Sequence, residues 1–231
     1  MNYQELFSQI QAYTENQFPD FYLANNSTVN VTTQINTFIQ QAEERIYNTV
    51  QIPSLRKNVT GTATQGNPYL SCPDNYLSTY SMAVIDPVLN TYEYLLNKDV
   101  NYIRAAYPDP NATGTPRYYG LFGSQYTDLN ELAFILGPTP DANYTIELHY
   151  FYYPESIVTA GTSWLGDNYS PVLLYACLVE AYTYMKGEAD ILASYVAKYN
   201  EALGQLKRLG DGLERGDAYR DGQTKLKYNT L

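Results

Sequence analysis

The spacing of apolar residues divides the chain into two helical ends and a middle part with a different period. Apolar residues three or four positions apart predict an amphipathic helix over residues 3–16 and another over residues 33–50. In the second helix, Glu43 and Glu44 are assigned to the solvent-exposed face. The polar residues 19–32, rich in Asn, Ser and Thr, predict a loop between these helices.

Between residues 58 and 156 the pattern favours β-structure, because short runs of Val, Ile, Thr and aromatic residues alternate with Gly, Pro, Asn and Asp. The clearest run has apolar residues at every second position from Ile146 to Tyr152. A short helix is predicted over residues 99–107. The predicted strands are residues 59–64, 76–85, 92–96, 118–122, 132–136 and 144–153.

Helical spacing returns near the C-terminus. Residues 171–186 are apolar on almost all sides, which predicts a buried helix with Ser170 as its cap. A further amphipathic helix is predicted over residues 188–209, and Gly210 and Gly212 are expected to stop it.

The predicted fold class is α+β, a helical bundle formed by the N- and C-terminal helices with an inserted β-rich subdomain and an extended C-terminal tail. The tail has no apolar periodicity, so it is expected to be a disordered end or an arm that orders when it docks. The predicted segments are 1–57 for the N-terminal helices, 58–157 for the β-rich subdomain, 158–210 for the C-terminal helices and 211–231 for the tail.

Charge is unevenly distributed along the chain. Residues 1–197 carry 7 basic and 19 acidic side chains, a net charge of −12, whereas residues 198–231 carry 7 and 5, a net charge of +2. An acidic body repels phosphates, so sequence-specific binding of nucleic acid is not expected. The 26 tyrosines offer contact area to partners or simply fill sheet faces, and both interpretations stay open.

Residue types that carry catalysis are scarce. His149 falls on the polar face of a predicted strand and is interpreted as an exposed surface residue. Cys72 and Cys177 have neither a zinc spacing nor the pattern of a disulfide framework, so no metal or cofactor is expected. Nothing brings the candidate acids together, and no enzyme is expected. Those acids are Glu43, Glu44, Glu147 and Glu155.

The longest purely apolar run covers residues 172–179, too short to cross a bilayer, so no membrane association is expected.

Five stretches, in order along residues 36–210, resemble the head-to-tail connector adaptor proteins of tailed bacteriophages, especially short-tailed ones. Together they are more specific than any single motif in the chain. They are AEERIYNTVQIPSLRKNVTGT from Ala42, GNPYL from Gly66, LLNKDVNYIRAAYP from Leu95, FILGPTPDANYTIELHYFYYPESI from Phe134 and TSWLGDNYSPVLLYACLVEAYTYMKGEAD from Thr162.

This resemblance implies a structural virion protein at the head-tail junction, assembled in the host bacterial cytoplasm. It implies a ring of twelve copies below the portal protein, with an axial channel through which genomic DNA passes. The lower face would receive tail nozzle or tail tube proteins and tail fibres. In related adaptors the C-terminal segment lies along the portal. Carried over to this sequence, the portal-binding residues are Leu206, Lys207, Arg208, Leu209, Arg215, Tyr219, Arg220 and Lys225.

Two other classes of function stay open at this stage. A tail-associated receptor- or glycan-binding virion module would use tyrosine-rich strands as a sugar platform. A cell-wall hydrolase is the enzymatic alternative.

Overall fold

The chain contains both helices and antiparallel sheets, which confirms the predicted α+β class. It folds into two compact units. The helical unit comprises residues 1–53 and 154–231, and the β unit comprises residues 54–153. The predicted limits of the inserted subdomain are residues 58 and 157. The computed structural model describes residues 1–22, 28–86, 90–109, 111–123 and 132–218.

The order of elements follows the predicted succession of helices, strands and helices. In chain order they are α1 (Tyr3–Thr14), β1 (Phe21–Tyr22), β2 (Thr28–Val29), α2 (Val31–Thr49), β3 (Arg56–Ala63), β4 (Tyr69–Ser71), β5 (Tyr76–Ile85), β6 (Tyr92–Tyr94), β7 (Leu96–Asn97), α3 (Val100–Ala106), β8 (Tyr118–Phe122), β9 (Ala133–Gly137), β10 (Tyr144–Tyr152), α4 (Ile157–Ala160), α5 (Trp164–Asn168), α6 (Ser170–Met185) and α7 (Ala189–Ala218).

The two N-terminal helices begin at asparagine caps. The Asn2 side chain accepts a hydrogen bond from the Glu5 N–H at 2.9 Å, and the Glu5 carboxylate accepts one from the Asn2 N–H at 3.0 Å. Asn30 caps α2 by accepting a hydrogen bond from the Thr33 N–H at 2.9 Å. Because Asn30 caps it, α2 begins earlier than the apolar spacing predicts. Within the predicted loop, β1 and β2 pair with each other.

Helix α6 is the centre of the helical unit, as its apolar sequence predicts. Val172, Leu173 and Cys177 are fully buried in it, and α1, α2 and α7 pack against it. The predicted capping role of Ser170 is wrong. Tyr169 occupies the cap position without a side-chain hydrogen bond, and Ser170 is already the first helical residue.

Helix α7 continues past both glycines that were expected to stop it and ends at Ala218. A helical glycine costs only about 0.5–1 kcal/mol relative to alanine, which tertiary packing offsets. Gly210 is buried, and a Cβ added there would lie 3.5 Å from the Gln51 carbonyl oxygen. The predicted tail is therefore helical over residues 211–218, while residues 219–231 lie outside the described part of the chain.

The β unit consists of two four-stranded sheets around one core. Their strand orders are β3-β10-β5-β6 and β4-β9-β8-β7, and all pairs are antiparallel except β7 with β8. Met82, Ile146 and Leu148 from the first sheet and Phe134 and Leu136 from the second are buried together. The predicted strands are confirmed, with two differences. The 92–96 run divides into β6 and β7 in different sheets, and β4 was missed.

Helix α3 packs closely on the second sheet because two of its strands carry glycine at the contact. A Cβ at Gly137 would lie 2.5 Å from Ile103 Cγ2, and one at Gly120 would lie 2.8 Å from the Lys98 carbonyl oxygen. Any larger residue at either position would push the helix away from the sheet.

Candidate interaction surfaces

Helix α7 carries five of the eight residues predicted to bind the portal. It is 30 residues long, about 45 Å at the rise of an α-helix. Its buried side is formed by Tyr199, Ala202, Leu206 and Gly210, which lie three or four positions apart. This stripe fixes the orientation of the helix and turns its other side toward solvent.

The predicted portal-binding residues fall into four groups. Leu206 is completely buried in the helical unit, whereas Lys207, Arg208 and Leu209 are exposed, Leu209 at 42%. Arg215 lies on the final turns of α7. Tyr219, Arg220 and Lys225 lie outside the described residues. The structure therefore places two exposed cationic side chains and one exposed apolar side chain next to buried Leu206.

Glu43 was assigned to the solvent-exposed face of α2, and that assignment is wrong. Its side chain is 3% exposed, and its Oε1 atom accepts a hydrogen bond from the Ile157 N–H at 3.0 Å. Burial raises the pKa of the Glu43 carboxyl above its ordinary value, although hydrogen bonds from Ser156 and Ile157 act in the opposite direction. The carboxylate joins α2 to the start of α4. Glu44, by contrast, is exposed as predicted.

The sequence contains a signal for this burial. Glu43 is four residues after Ile39 and four before Tyr47, and both of these apolar residues are buried in α2. Positions four apart share one helix face, so the spacing places Glu43 on the buried stripe. The prediction for Glu43 followed the rule that charged side chains face solvent and did not follow this spacing. A buried carboxylate needs hydrogen-bond donors, and here the backbone of a distant segment supplies one.

The outer face of the first sheet in the β unit carries a cluster of aromatic and basic side chains. The Arg56 guanidinium carbon lies 4.0 Å from the centroid of the Tyr80 ring and 4.9 Å from that of Phe151. The two rings meet edge to face, with centroids 6.3 Å apart. Arg56 and Tyr80 line a cleft of about 360 Å³. Its lining includes Arg56, Asn58, Tyr80, Ser81, Tyr94 and His149.

The polar residues of this cleft are linked in pairs. Ser81 Oγ and His149 Nδ1 are 3.2 Å apart, and Asn58 donates a hydrogen bond to the Glu147 carboxylate at 2.8 Å. His149, predicted to be an exposed surface residue, is half-buried because its strand lies between two neighbouring strands. Glu147 therefore has an amide partner, and the described residues that line the cleft include no carboxylate of their own.

Over the residues that the structure describes, no group of three or more His, Cys, Asp or Glu side chains is arranged to hold a metal ion. No helix within the described ranges is both long and apolar enough to span a membrane.

Comparison with protein families identifies the chain. The sequence model described as SU10 adaptor protein matches residues 1–224, a range that includes the whole β unit and every helix from α1 to α7. The chain belongs to the SU10 adaptor protein family. This adaptor is thus a structural phage protein and a component of the virion, and its family membership implies association with portal and tail proteins in general. No curated protein sequence matches the adaptor.

Proposed function

We propose that this adaptor forms a ring of twelve copies that joins the portal to the tail and lines the channel through which the genome leaves the head. It acts without enzymatic activity, and its contacts are with copies of itself, the portal and tail nozzle or tail tube proteins, with tail fibres as further neighbours. Assembly takes place in the cytoplasm of the host bacterium. The observation that carries the proposal is the family match over residues 1–224.

The charge distribution supports a channel role. With a net charge of −12 over residues 1–197, the body repels DNA phosphates, and a channel wall of that charge lets the duplex slide without adhering. Identical subunits that contact each other head to tail close into a ring when the rotation between neighbours completes a full turn.

Helix α7 and the residues after it are the proposed portal-binding segment. Buried Leu206 fixes the helix in the helical unit, and exposed Lys207, Arg208 and Leu209 supply the first contacts. Arg215, Tyr219, Arg220 and Lys225 follow in the sequence and are the further proposed portal-binding residues. Residues 198–231 have a net charge of +2, so they suit an acidic surface on the portal.

The proposal is tested by mixing the purified full chain with the purified portal of the same phage. Mass photometry and electron microscopy measure whether a complex forms and how many copies it contains. We expect twelve copies on each portal ring, with a central channel visible in projection. The double variant Lys207→Glu/Arg208→Glu should bind the portal at least about tenfold more weakly, because both charges that meet the portal are reversed.

The matched control is Lys98→Glu/Arg104→Glu, which makes the same change of charge on the β unit. It should bind the portal as the wild type does. An adaptor that never associates with its portal, or an equal loss of binding in both double variants, would contradict the proposal. A monomeric adaptor in the absence of portal is compatible with it, since the portal supplies the template for the ring.

A further inference from the structure

The first sheet of the β unit ends on both sides in an exposed strand. Among the described residues, β3 pairs only with β10, and β6 pairs only with β5. Strand β3 is eight residues long and is exposed from Lys57 to Thr62, and all three residues of β6 are exposed. Neither strand contains proline, so each edge offers N–H and C=O groups to which a further strand can hydrogen-bond.

The backbone groups of Tyr92 and Tyr94 point to the outer edge of β6, away from β5. The Leu95 N–H donates a hydrogen bond to the Met82 carbonyl oxygen of β5 at 2.9 Å. In an antiparallel pair, residues whose backbone bonds to the neighbouring strand alternate with residues whose backbone does not. Because the backbone of Leu95 faces β5, that of Glu93 faces it too, and the backbones of Tyr92 and Tyr94 face outward.

The same alternation continues across the sheet to β3. Because the backbone of Met82 bonds to β6, that of Ala83 bonds to Glu147 of β10. The next residue of β10, Leu148, therefore bonds to Val59 of β3. The residues of β3 whose backbone groups then point to its outer edge are Asn58, Thr60 and Thr62.

The outer edges of β3 and β6 match each other in direction and in the faces of their side chains. Three antiparallel pairings separate the two strands, so they run in opposite directions. Side chains alternate between the two faces of a sheet, which places Thr60, Tyr92 and Tyr94 on the face away from the core. Aromatic and β-branched side chains that lie opposite each other stabilise a strand pair.

Charge at the two edges is complementary, although the β unit as a whole has nine acidic and five basic side chains. Lys57 lies in β3, and Glu93 is the charged residue of β6. The Tyr152 ring covers one side of the Lys57 ammonium at 4.0 Å from the ring centroid, while Lys57 as a whole is exposed. When Val59 lies opposite Glu93, Lys57 is the diagonal neighbour of Glu93, within reach of long side chains.

We propose that β3 of one copy pairs with β6 of the next copy in the ring, so that neighbouring first sheets form one continuous antiparallel sheet. This assignment rests on the proposed ring and names a surface through which its subunits meet. Val59 lies opposite Glu93, and Tyr92 and Tyr94 exchange main-chain hydrogen bonds with the residues on either side of Val59. A foreign strand would need only one edge, whereas a head-to-tail ring of identical subunits uses both.

The test links neighbouring copies covalently in the complex of the full chain with its portal. The variant Val59→Cys/Glu93→Cys is assembled on the portal, oxidised with copper phenanthroline and separated on a denaturing gel without reductant. We expect a ladder of linked adaptor chains that extends to the full ring. Within one copy the two positions are three strand spacings apart, about 14 Å, and a disulfide needs Cα atoms within about 7 Å. Each bond therefore joins two copies.

The matched control is Thr60→Cys/Glu93→Cys. Thr60 adjoins Val59, but successive side chains of a strand point to opposite faces, so a thiol at position 60 does not reach one at position 93. This variant should give at least about tenfold less linked product. Val59→Cys and Glu93→Cys as single variants should stay monomeric on the gel, because a head-to-tail contact needs both positions.

Reversal of charge gives a second measurement that does not depend on cysteine. Lys57→Glu should raise the adaptor concentration that half-fills the ring several-fold, because two carboxylates then meet across the strand pair. Adding Glu93→Lys should restore the wild-type concentration. Mass photometry of adaptor and portal mixtures measures the occupancy of the ring.

Four results would overturn the strand pairing while the ring itself stands. They are a ring without a ladder, equal ladders in the two double-cysteine variants, dimers in a single-cysteine variant, and no recovery when Glu93→Lys is added to Lys57→Glu. A wild-type adaptor that forms no ring with its portal would instead overturn the proposed function and the pairing together, so the two failures are distinguishable.

Discussion

The Glu43 carboxylate in α2 accepts a hydrogen bond from the backbone N–H of Ile157 at 3.0 Å, although the two residues are 114 positions apart. This contact holds the point at which the chain re-enters the helical unit after the β unit. A carboxyl group that is buried in this way is sensitive to its state of protonation, because burial disfavours its charged form.

Replacing Glu43 by glutamine should change how stability depends on pH. The pKa of this carboxyl is raised above its ordinary value of 4.5 in the folded chain, so protonation favours folding. Its contribution is complete below the unfolded pKa and is lost as pH rises through the raised folded pKa. Between the unfolded pKa and the raised folded pKa, urea unfolding should show the free energy of unfolding of the wild type falling relative to that of Glu43→Gln. Above the folded pKa, the difference between the two should be constant.

Glu44→Gln is the control for this pH effect, since Glu44 is the exposed neighbour in the same helix. Its stability should follow the wild type at every pH. Parallel pH profiles for the wild type and Glu43→Gln would show that Glu43 is not the responsible group.

Both cysteines should resist alkylation in the folded chain. Burial raises the pKa of the Cys72 thiol to about 12 and that of Cys177 well above its ordinary value. Only the thiolate reacts, so at neutral pH the labelling of Cys72 by iodoacetamide should be about a thousand times slower than in the unfolded chain. Mass spectrometry should find two labels in guanidinium chloride and none in buffer. Rapid labelling of native Cys72 would contradict the raised pKa of this half-buried thiol.

Two glycines of the helical unit should respond to alanine in opposite ways. A Cβ at Gly204 in α7 meets nothing within 4 Å, so Gly204→Ala should stabilise the unit by about 0.5–1 kcal/mol through helix propensity. A Cβ at Gly187 would lie 2.5 Å from Tyr182 Cδ1, so Gly187→Ala should destabilise the unit. Thermal unfolding measures both shifts, and shifts of the same sign would contradict the packing at Gly187.

Phe134 should be the residue of the β unit most sensitive to truncation. It is completely buried, and the rings of Tyr76 and Tyr119 meet it edge to face at 5.5 and 5.8 Å. Phe134→Ala should cost about 3–5 kcal/mol through lost burial and a cavity. Phe122 of the same sheet is 55% exposed, and Phe122→Ala should change stability by less than about 0.5 kcal/mol. Hydrogen exchange of the β unit distinguishes these outcomes, and equal effects would contradict the assigned core.

Local sequence predicts the elements whose limits are marked by turn residues. Strands β5 and β8 begin and end where the β-favouring runs predict, because Asp, Asn and Gly residues lie at their limits. Strand β4 escapes prediction because three residues are too few for a period to emerge. The separation of β6 from β7 is set by sheet membership, which depends on distant partners.

The errors at Glu43 and Gly210 have a common physical origin. Glutamate prefers solvent because burying a carboxylate costs several kcal/mol when it is not compensated, and glycine prefers helix ends by only about 1 kcal/mol. Contacts made by Ile157 with Glu43 and by Gln51 with Gly210 come from segments far away in sequence and outweigh these preferences. Likewise, the Arg56 cleft was not foreseen, because it assembles side chains from several strands.

The first and last strands of the β unit, β3 and β10, are hydrogen-bonded neighbours, with Arg56 opposite Phe151. The β unit is therefore an inserted domain, and the chain enters and leaves it through two neighbouring strands. A domain inserted in this way can be lengthened, shortened or exchanged in evolution while the rest of the polypeptide keeps its fold. Changes within the inserted unit then need no redesign of the helices.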